Sequence, residues 1–263
     1  MSRRFADQVV WITGGGSGIG RALAMAFGQE GAIVAVTGRR QERLDEVVAA
    51  LEAAGAQGLA VPCDVTSEPQ LDAAVQQILD AHGRLDVCIA NAGFSVAGRI
   101  EALSAEDWHR QLSVNVVGLA MTARYALPAL RETRGRLALI GSVAAYVSGP
   151  GFGAYSASKA AVRSMGDTLY LELAGSGVSC TTIHPGFVES EIAQVDNHGR
   201  FNPEAVDKRP RQLMWKAEDA ARVMVRGVAA RRREVVVTGH GVLGVWLARF
   251  FPGLTLALTR RFQ

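Results

Sequence analysis

The chain has 263 residues and a mass of 27.9 kDa, of which 49% are hydrophobic and 20% charged; this balance excludes a dominantly disordered chain. Its 28 Lys and Arg stand against 25 Asp and Glu, a net charge of +3, too even to make nucleic acid the expected partner.

Apolar, β-rich runs at residues 9–12, 33–37, 59–62, 87–90, 137–140, 178–183 and 235–238 predict strands. Most are continuous rather than alternating, which suits strands covered on both faces. Amphipathic stretches at 43–53, 70–81, 105–130, 154–173 and 217–230 predict the helices between them. The expected fold class is α/β, a doubly wound sheet of seven mainly parallel strands with helices on both faces. No linker or repeat divides the chain, so one domain over residues 1–263 is expected. Residues 187–216 are polar, contain Pro203 and Pro210 and lack a period, as lids over binding sites do. In residues 241–263 an apolar tail is broken by Arg249 and Pro252, which suits two short helices better than a membrane span. Such a tail would pack over the substrate site or a neighbouring subunit. Alternatively it would make a peripheral membrane contact, with Trp246, Phe250 and Phe251 on one side and Arg249, Arg260 and Arg261 at the edges.

Directly after the first strand comes Thr13-Gly14-Gly15-Gly16-Ser17-Gly18-Ile19-Gly20, followed by a helical pattern. Glycines there let the backbone approach a ligand, and the helix N-terminus offers free N–H groups to a pyrophosphate. Placed between a strand and a helix, the loop reads as a dinucleotide site on a Rossmann-type sheet. It lacks the Gly-Lys-Ser/Thr ending of a nucleotide-hydrolysing loop. The second strand ends in Thr37-Gly38-Arg39-Arg40, with no carboxylate for a free ribose 2′-hydroxyl. Two guanidinium groups suit a 2′-phosphate, so NADP (NADPH) is the expected cofactor. The plainer alternative is that Arg39 and Arg40 are solvated loop charges.

Tyr155 and Lys159 stand at i and i+4 in a helical pattern, which puts a phenol and an ammonium on one face. A nearby cation favours the phenolate, so Tyr155 would serve as general acid or base, with Ser142 as a hydrogen-bond donor to a substrate oxygen. The glycine loop, Asn91-Ala92-Gly93, Asn115, Ser142, Tyr155-Ser-Ala-Ser-Lys159 and Pro185-Gly186 together resemble the short-chain dehydrogenase/reductase family, in its shorter single-domain branch, over about residues 9–238. The resemblance implies a catalytic set of Asn115, Ser142, Tyr155 and Lys159, with Asn115 supporting a water behind Lys159. It implies cofactor contacts at Gly14, Gly16, Ser17, Gly18, Ile19, Gly20, Arg39 and Arg40, and at Asp64 and Val65 beside the adenine. Further contacts are implied at Asn91, Ala92, Gly93, Tyr155, Lys159, Pro185, Gly186 and Val188. Ser190 stands where many relatives carry a Thr for the nicotinamide carboxamide, and its hydroxyl can make the same bond.

By the same resemblance, substrate walls come from Phe94 and Val96, Ser142, Val143, Ala144 and Phe152, and Phe187. These are mostly apolar, so the expected reaction is hydride transfer between NADP(H) and a hydrophobic carbonyl or secondary alcohol of ketoacyl, steroid-like or sphingoid-like type. The competing possibility is a non-catalytic NADP-binding sensor. Lys208, Arg209 and Arg211 of the lid read as a solvated face, or as a grip for an acidic group. The resemblance also implies a homodimer or homotetramer built through residues 105–130 and 154–173. Cys63, Cys88 and Cys180 are odd in number and set in or beside apolar runs, so they read as buried free thiols. The five histidines never pair at i, i+4, so no metal is expected. Residues 1–8 lack the apolar core of a secretory signal, which points to a cytoplasmic protein.

Overall fold

Seven parallel strands in the order β3-β2-β1-β4-β5-β6-β7 form the central sheet. A computed structural model of the chain describes residues 3–207 and 209–261, without the Arg261 side chain; Lys208 lies outside the described residues. The strands are β1 (Val9–Thr13), β2 (Ile33–Gly38), β3 (Gly58–Pro62), β4 (Val87–Ala90), β5 (Arg136–Ile140), β6 (Ser179–His184) and β7 (Glu234–Val236). All six pairings among the described residues are parallel, as a doubly wound sheet requires. Strand order reverses between β1 and β4, and in such sheets a crevice opens at the strand C-terminal ends there.

Alternation along each strand divides the core. Val10, Ile12, Val34 and Val36 face α1 (Gly18–Gln29), α2 (Gln41–Ala53) and α7 (Ala217–Ala229) through Leu23, Phe27, Leu44 and Met224. Val9, Trp11 and Cys88 face α3 (Glu68–His82), α5 (Leu119–Thr133) and α6 (Gly153–Glu172) through Leu71, Ile78, Leu130 and Val162. Covered on both sides, the strands need apolar residues at every position, which is why their sequence runs were continuous. The three cysteines are buried and free, and burial pushes Cys63 up to about 11 and Cys180 up to about 12.

The long helix expected over residues 105–130 departs from its pattern at one place. It runs as α4 (Ala105–Leu112), opens into a π-helical turn over Ser113–Gly118, and continues as α5. Such turns insert a residue into the helical ladder and re-aim the side chains around it; Asn115 sits within this one and is fully buried. The last strand is also displaced from its expected position at 235–238, because the Thr238 hydroxyl accepts from Gly241 N–H at 3.2 Å and caps α8 (Gly239–Phe250). After Phe251 comes α9 (Pro252–Arg261). No helix among the described residues is long and apolar enough to cross a membrane.

Candidate active site

β1 delivers its chain into the glycine turn, and α1 begins at Gly18 with its N-terminus facing the crevice. Gly14 has φ +64, and a Cβ there would lie 2.9 Å from Ala92 Cα; a Cβ on Gly20 would lie 2.1 Å from the Gly14 carbonyl oxygen. Only glycine fits so close an approach. The Thr13 hydroxyl accepts from the N–H of Asn91 at 3.0 Å and of Ala92 at 3.1 Å, while Asn91 Nδ2 donates to the carbonyls of Thr13 and Gly14. These bonds pin the loop after β4 to the loop after β1.

Between them lies a cavity of about 600 Å³, and every residue expected to hold the cofactor lines it, from Gly14 through Arg39 and Asp64 to Ser190. Ser142, Tyr155 and Lys159 line the same cavity. The cradle therefore fits a dinucleotide: helix N–H groups at a wall where no Cβ can stand, and a proton-carrying cluster at the far end.

Ser142 follows β5, and its Oγ accepts from Ala144 N–H at 3.1 Å. Lys159 is buried, its Nζ donates to the Ile140 carbonyl at 2.9 Å, and it stands 5.8 Å from the centroid of the Tyr155 ring. One helical turn thus places the two residues together, as their spacing predicts. Burial lowers the Lys159 pKa to about 8. Burial raises that of Tyr155, and the Ser142 hydroxyl and the Arg209 guanidinium pull against it. Ser142 and Arg209 therefore favour the phenolate, and the Lys159 ammonium, with one N–H on the Ile140 carbonyl, keeps its charge beside the ring. Asn115 lies behind the cavity wall. Its Oδ1 accepts from Phe94 N–H at 3.1 Å and its Nδ2 donates to the Phe94 carbonyl and to Ser158 Oγ. Gly93 keeps it close to Lys159, since a Cβ there would lie 3.1 Å from Asn115 Oδ1 and 3.7 Å from Lys159 Nζ.

The described residues of the segment expected as a lid form a strap. Its two ends are joined by Trp215 N–H to the Phe187 carbonyl and Glu189 N–H to the Trp215 carbonyl. In its middle Val195 bridges Phe201 in antiparallel fashion, and the Asp196 carboxylate accepts from the N–H groups of His198 and Arg200. The tip crosses the crevice. On one side the Gly199 carbonyl accepts from Arg39 Nη2; on the other, Asn197 exchanges two hydrogen bonds with Ala97 and its carbonyl accepts from Arg110. Arg40 pairs with Glu191 at 2.9 Å and lies over the Phe201 ring. Both arginines at the end of β2 therefore hold the strap, which corrects the picture of freely solvated loop charges.

Substrate-wall expectations divide. Phe94 and Ser142 line the cavity. Val96 is fully buried beneath Phe94 with Ala154; Phe152 is exposed; Phe187 stacks on His240 with ring centroids 5.5 Å apart. Val143 and Ala144 form a 3-10 turn and do not line the cavity. Strap residues Ile192, Val195 and Arg209 line the cavity as well. Arg209 is the residue that sequence reasoning misplaced: rather than a solvated charge, it pairs with Asp207 and donates to the carbonyls of Val188 and Ser190 and to Ser190 Oγ. Gln111 was overlooked. It is buried one turn before Asn115 and holds Val96 N–H and the Phe94 carbonyl; its spacing from Asn115 was the available signal.

A buried network backs Ser142. His184 donates through Nδ1 to the Ser142 carbonyl at 3.1 Å, and its Nε2 stands 3.4 Å from Glu234, which also binds Tyr146 and Arg249. Burial holds the His184 pKa down to about 4 against the pull of Glu234, whose charge Arg249 and Tyr146 already meet. The unfolded chain, with a histidine near its ordinary 6.5, binds more protons just below that pH than the folded one, so stability falls as pH drops through that window. Urea unfolding at pH 5 and 7.5 measures this, and a His184→Gln variant is expected to show the shallower pH slope.

Residues 8–200 match the family described as short chain dehydrogenase. The chain is 33% identical over 192 residues to a 3beta-hydroxysteroid dehydrogenase of Mediterraneibacter gnavus, covering 73% of this chain and 70% of that one. It is 30% identical over 262 residues to an 11-beta-hydroxysteroid dehydrogenase A of Sesamum indicum, covering 95% of this chain and 74% of that one. The crystal structure of a short chain dehydrogenase/reductase from Burkholderia phymatum in complex with NAD superimposes with a TM-score of 0.83 at 30% identity, over 93% of each chain. With the crevice, the glycine cradle and the Ser142, Tyr155 and Lys159 cluster in one cavity, these likenesses lead to one assignment: the chain belongs to the short-chain dehydrogenase/reductase family and is an oxidoreductase.

Proposed function

We propose that the protein is an NADP(H)-dependent oxidoreductase acting on a hydrophobic carbonyl or secondary alcohol. The observation that carries this reading is that Tyr155, Lys159 and Ser142 share one cavity with the glycine cradle and with Arg39 and Arg40. The chemistry supplied by a bound nicotinamide is hydride transfer to or from the substrate carbon. Tyr155 holds the proton that goes to the carbonyl oxygen, or receives it from the alcohol. Ser142 orients that oxygen, and Lys159 keeps a positive charge beside the phenol. Asn115 and Gln111 hold the Phe94 loop that walls the site.

An apolar substrate suits Phe94, Ile192 and Val195 at the catalytic end, where the charge of Arg209 is already met by Asp207. The steroid dehydrogenases among the relatives favour the same class. The three buried, unbridged thiols suit a reducing, cytoplasmic setting. Exposed Val117, Tyr170 and Leu171 on the π-helical turn and α6 offer apolar area for a homodimer.

Preference for NADP over NAD rests on Arg39 and Arg40 and on the absence of a carboxylate at the end of β2. Arg39→Ala is expected to raise the KM for NADPH about tenfold while leaving that for NADH within about twofold, because a charge-assisted bond to phosphate contributes on the order of 1.5–3 kcal/mol. Steady-state reduction of a panel of apolar ketones with each cofactor tests both parts. Equal use of NADH by the wild type would remove the NADP assignment, and no turnover with any ketone would remove the reaction.

A further inference from the structure

We propose that the α8–α9 hairpin docks on an anionic lipid surface. Nothing in the hydride-transfer reading requires it, and it rests on residues outside the cavity. Along the hairpin Val242, Leu243, Trp246, Phe250, Leu254 and Leu256 are all exposed, Phe250 and Leu256 by about two-thirds of their surface (64% and 66%). On α9 the usual order is inverted: Thr255 is turned inward and buried, while its leucines face out. The Thr255 and Thr259 hydroxyls satisfy themselves on backbone carbonyls one turn back, at Phe251 and Thr255, so the inner face asks for no polar partner. A helix that keeps its threonines in and its leucines out in water leaves apolar area uncovered, and a contiguous area of that kind marks an interaction surface.

Charge selects the occupant. After Glu234 the chain has no acidic residue, whereas Arg249, Arg260 and Arg261 follow, and of these Arg249 is paired back to Glu234. A second copy related by a two-fold axis would bring the same surface against itself, with no acidic side chain from residues 235–263 to meet Arg260 and Arg261. An anionic bilayer supplies both the apolar layer and the opposite charge. At the elbow between the helices Trp246 packs against both Phe250 and Phe251 with ring centroids 5.6 Å apart, and clustered aromatic rings of this kind settle at the headgroup boundary. With no spanning helix among the described residues, the hairpin would lie in the interface plane.

Docking there would also place the catalytic end near the lipid. α8 packs on the turn that follows Ser142: a Cβ on Gly241 would lie 2.9 Å from Val143 Cγ2, and His240 stacks on Phe187. Arg249 is tied to Glu234 and Tyr146, so the hairpin is fixed to the body and not a free tail. An apolar substrate dissolved in the bilayer would then meet the enzyme beside that rim.

The full-length protein is mixed with vesicles of phosphatidylcholine alone or with about one-third phosphatidylglycerol, and co-sedimentation and tryptophan emission are measured. Binding with a blue shift on the mixed vesicles, weaker on the neutral ones and weakened further by salt, is expected. Leu254→Ser/Leu256→Ser is expected to bind the mixed vesicles about tenfold or more weakly while reducing a water-soluble ketone at the wild-type rate. Arg260→Glu is expected to lower the preference for anionic vesicles without changing the elution volume of the protein. The proposal is overturned if the wild type stays in the supernatant with both vesicles, or if the double variant binds as the wild type does. It is equally overturned if the wild type is a dimer that the double variant converts to monomer, since a second copy would then cover the face. Ketone turnover by the wild type, measured alongside, keeps failure of this proposal separate from failure of the catalytic one.

Discussion

Tyr155→Phe is expected to lower kcat about 10³-fold for ketone reduction while leaving the Kd for NADPH within about threefold, because general acid catalysis by a positioned group contributes roughly 10²–10⁴. The variant keeps the ring, its packing on α6 and the cation beside it, and removes only the proton-carrying oxygen. Single-turnover kinetics and cofactor fluorescence separate the two effects. A protein that merely senses the cofactor would lose nothing in this substitution, so an unchanged response in Tyr155→Phe would favour the sensor over the enzyme. Burial raises the Tyr155 pKa, which keeps the phenol protonated at neutral pH and ready to donate. Reduction should therefore be nearly flat from pH 6 to 8, whereas alcohol oxidation, which needs the phenolate to accept a proton, should climb with pH. A reduction rate that rises steeply through neutrality would contradict the assignment of Tyr155 as donor.

Lys159→Met is expected to cost about 10²-fold in kcat, the order expected for removing one preorganised charge from a low-dielectric site. Methionine keeps most of the stem volume, so the loss is of charge and of the hydrogen bond to the Ile140 carbonyl and not of packing. Burial brings the Lys159 pKa down to about 8, so in the wild type the cation beside the phenol is lost as pH rises through that value. Two opposing trends then meet in alcohol oxidation: phenolate formation gains with pH, and cation support declines above about pH 8. The wild-type profile should bend near that pH, and Lys159→Met should rise without the bend. Thermal unfolding within a few degrees of the wild type would show that the variant is folded; an identical bend in the variant would remove Lys159 from the proton chemistry.

Much of this site was legible because its chemistry is written in short spans. The glycine turn from Gly14 to Gly20 is one strand end and one helix start, and Tyr155 with Lys159 is one helical turn. In each case the geometry follows from backbone periodicity over a few residues. The strands were equally plain, because a sheet covered on both faces leaves continuous apolar runs in the chain. The substrate wall was not. Val96 and Phe152 are both hydrophobic and both lie between a strand and the next long helix, yet one is buried under Phe94 and the other is exposed. Nothing in their own neighbourhood distinguishes them.

What the sequence alone determined was the fold class, the phosphate cradle and the pairing of phenol with ammonium, since local hydrogen bonding and side-chain period suffice for those. Only the tertiary structure decided that Arg209 turns inward, that the lid is a strap tied to Arg39 and Asn197, that Asn115 lies in a π-helical turn, and that the tail leaves its leucines outside. The strap depends on contacts between segments far apart in the chain, such as Arg39 with Gly199 or Ala97 with Asn197. Their formation is set by which surfaces are left to be covered once the sheet has packed.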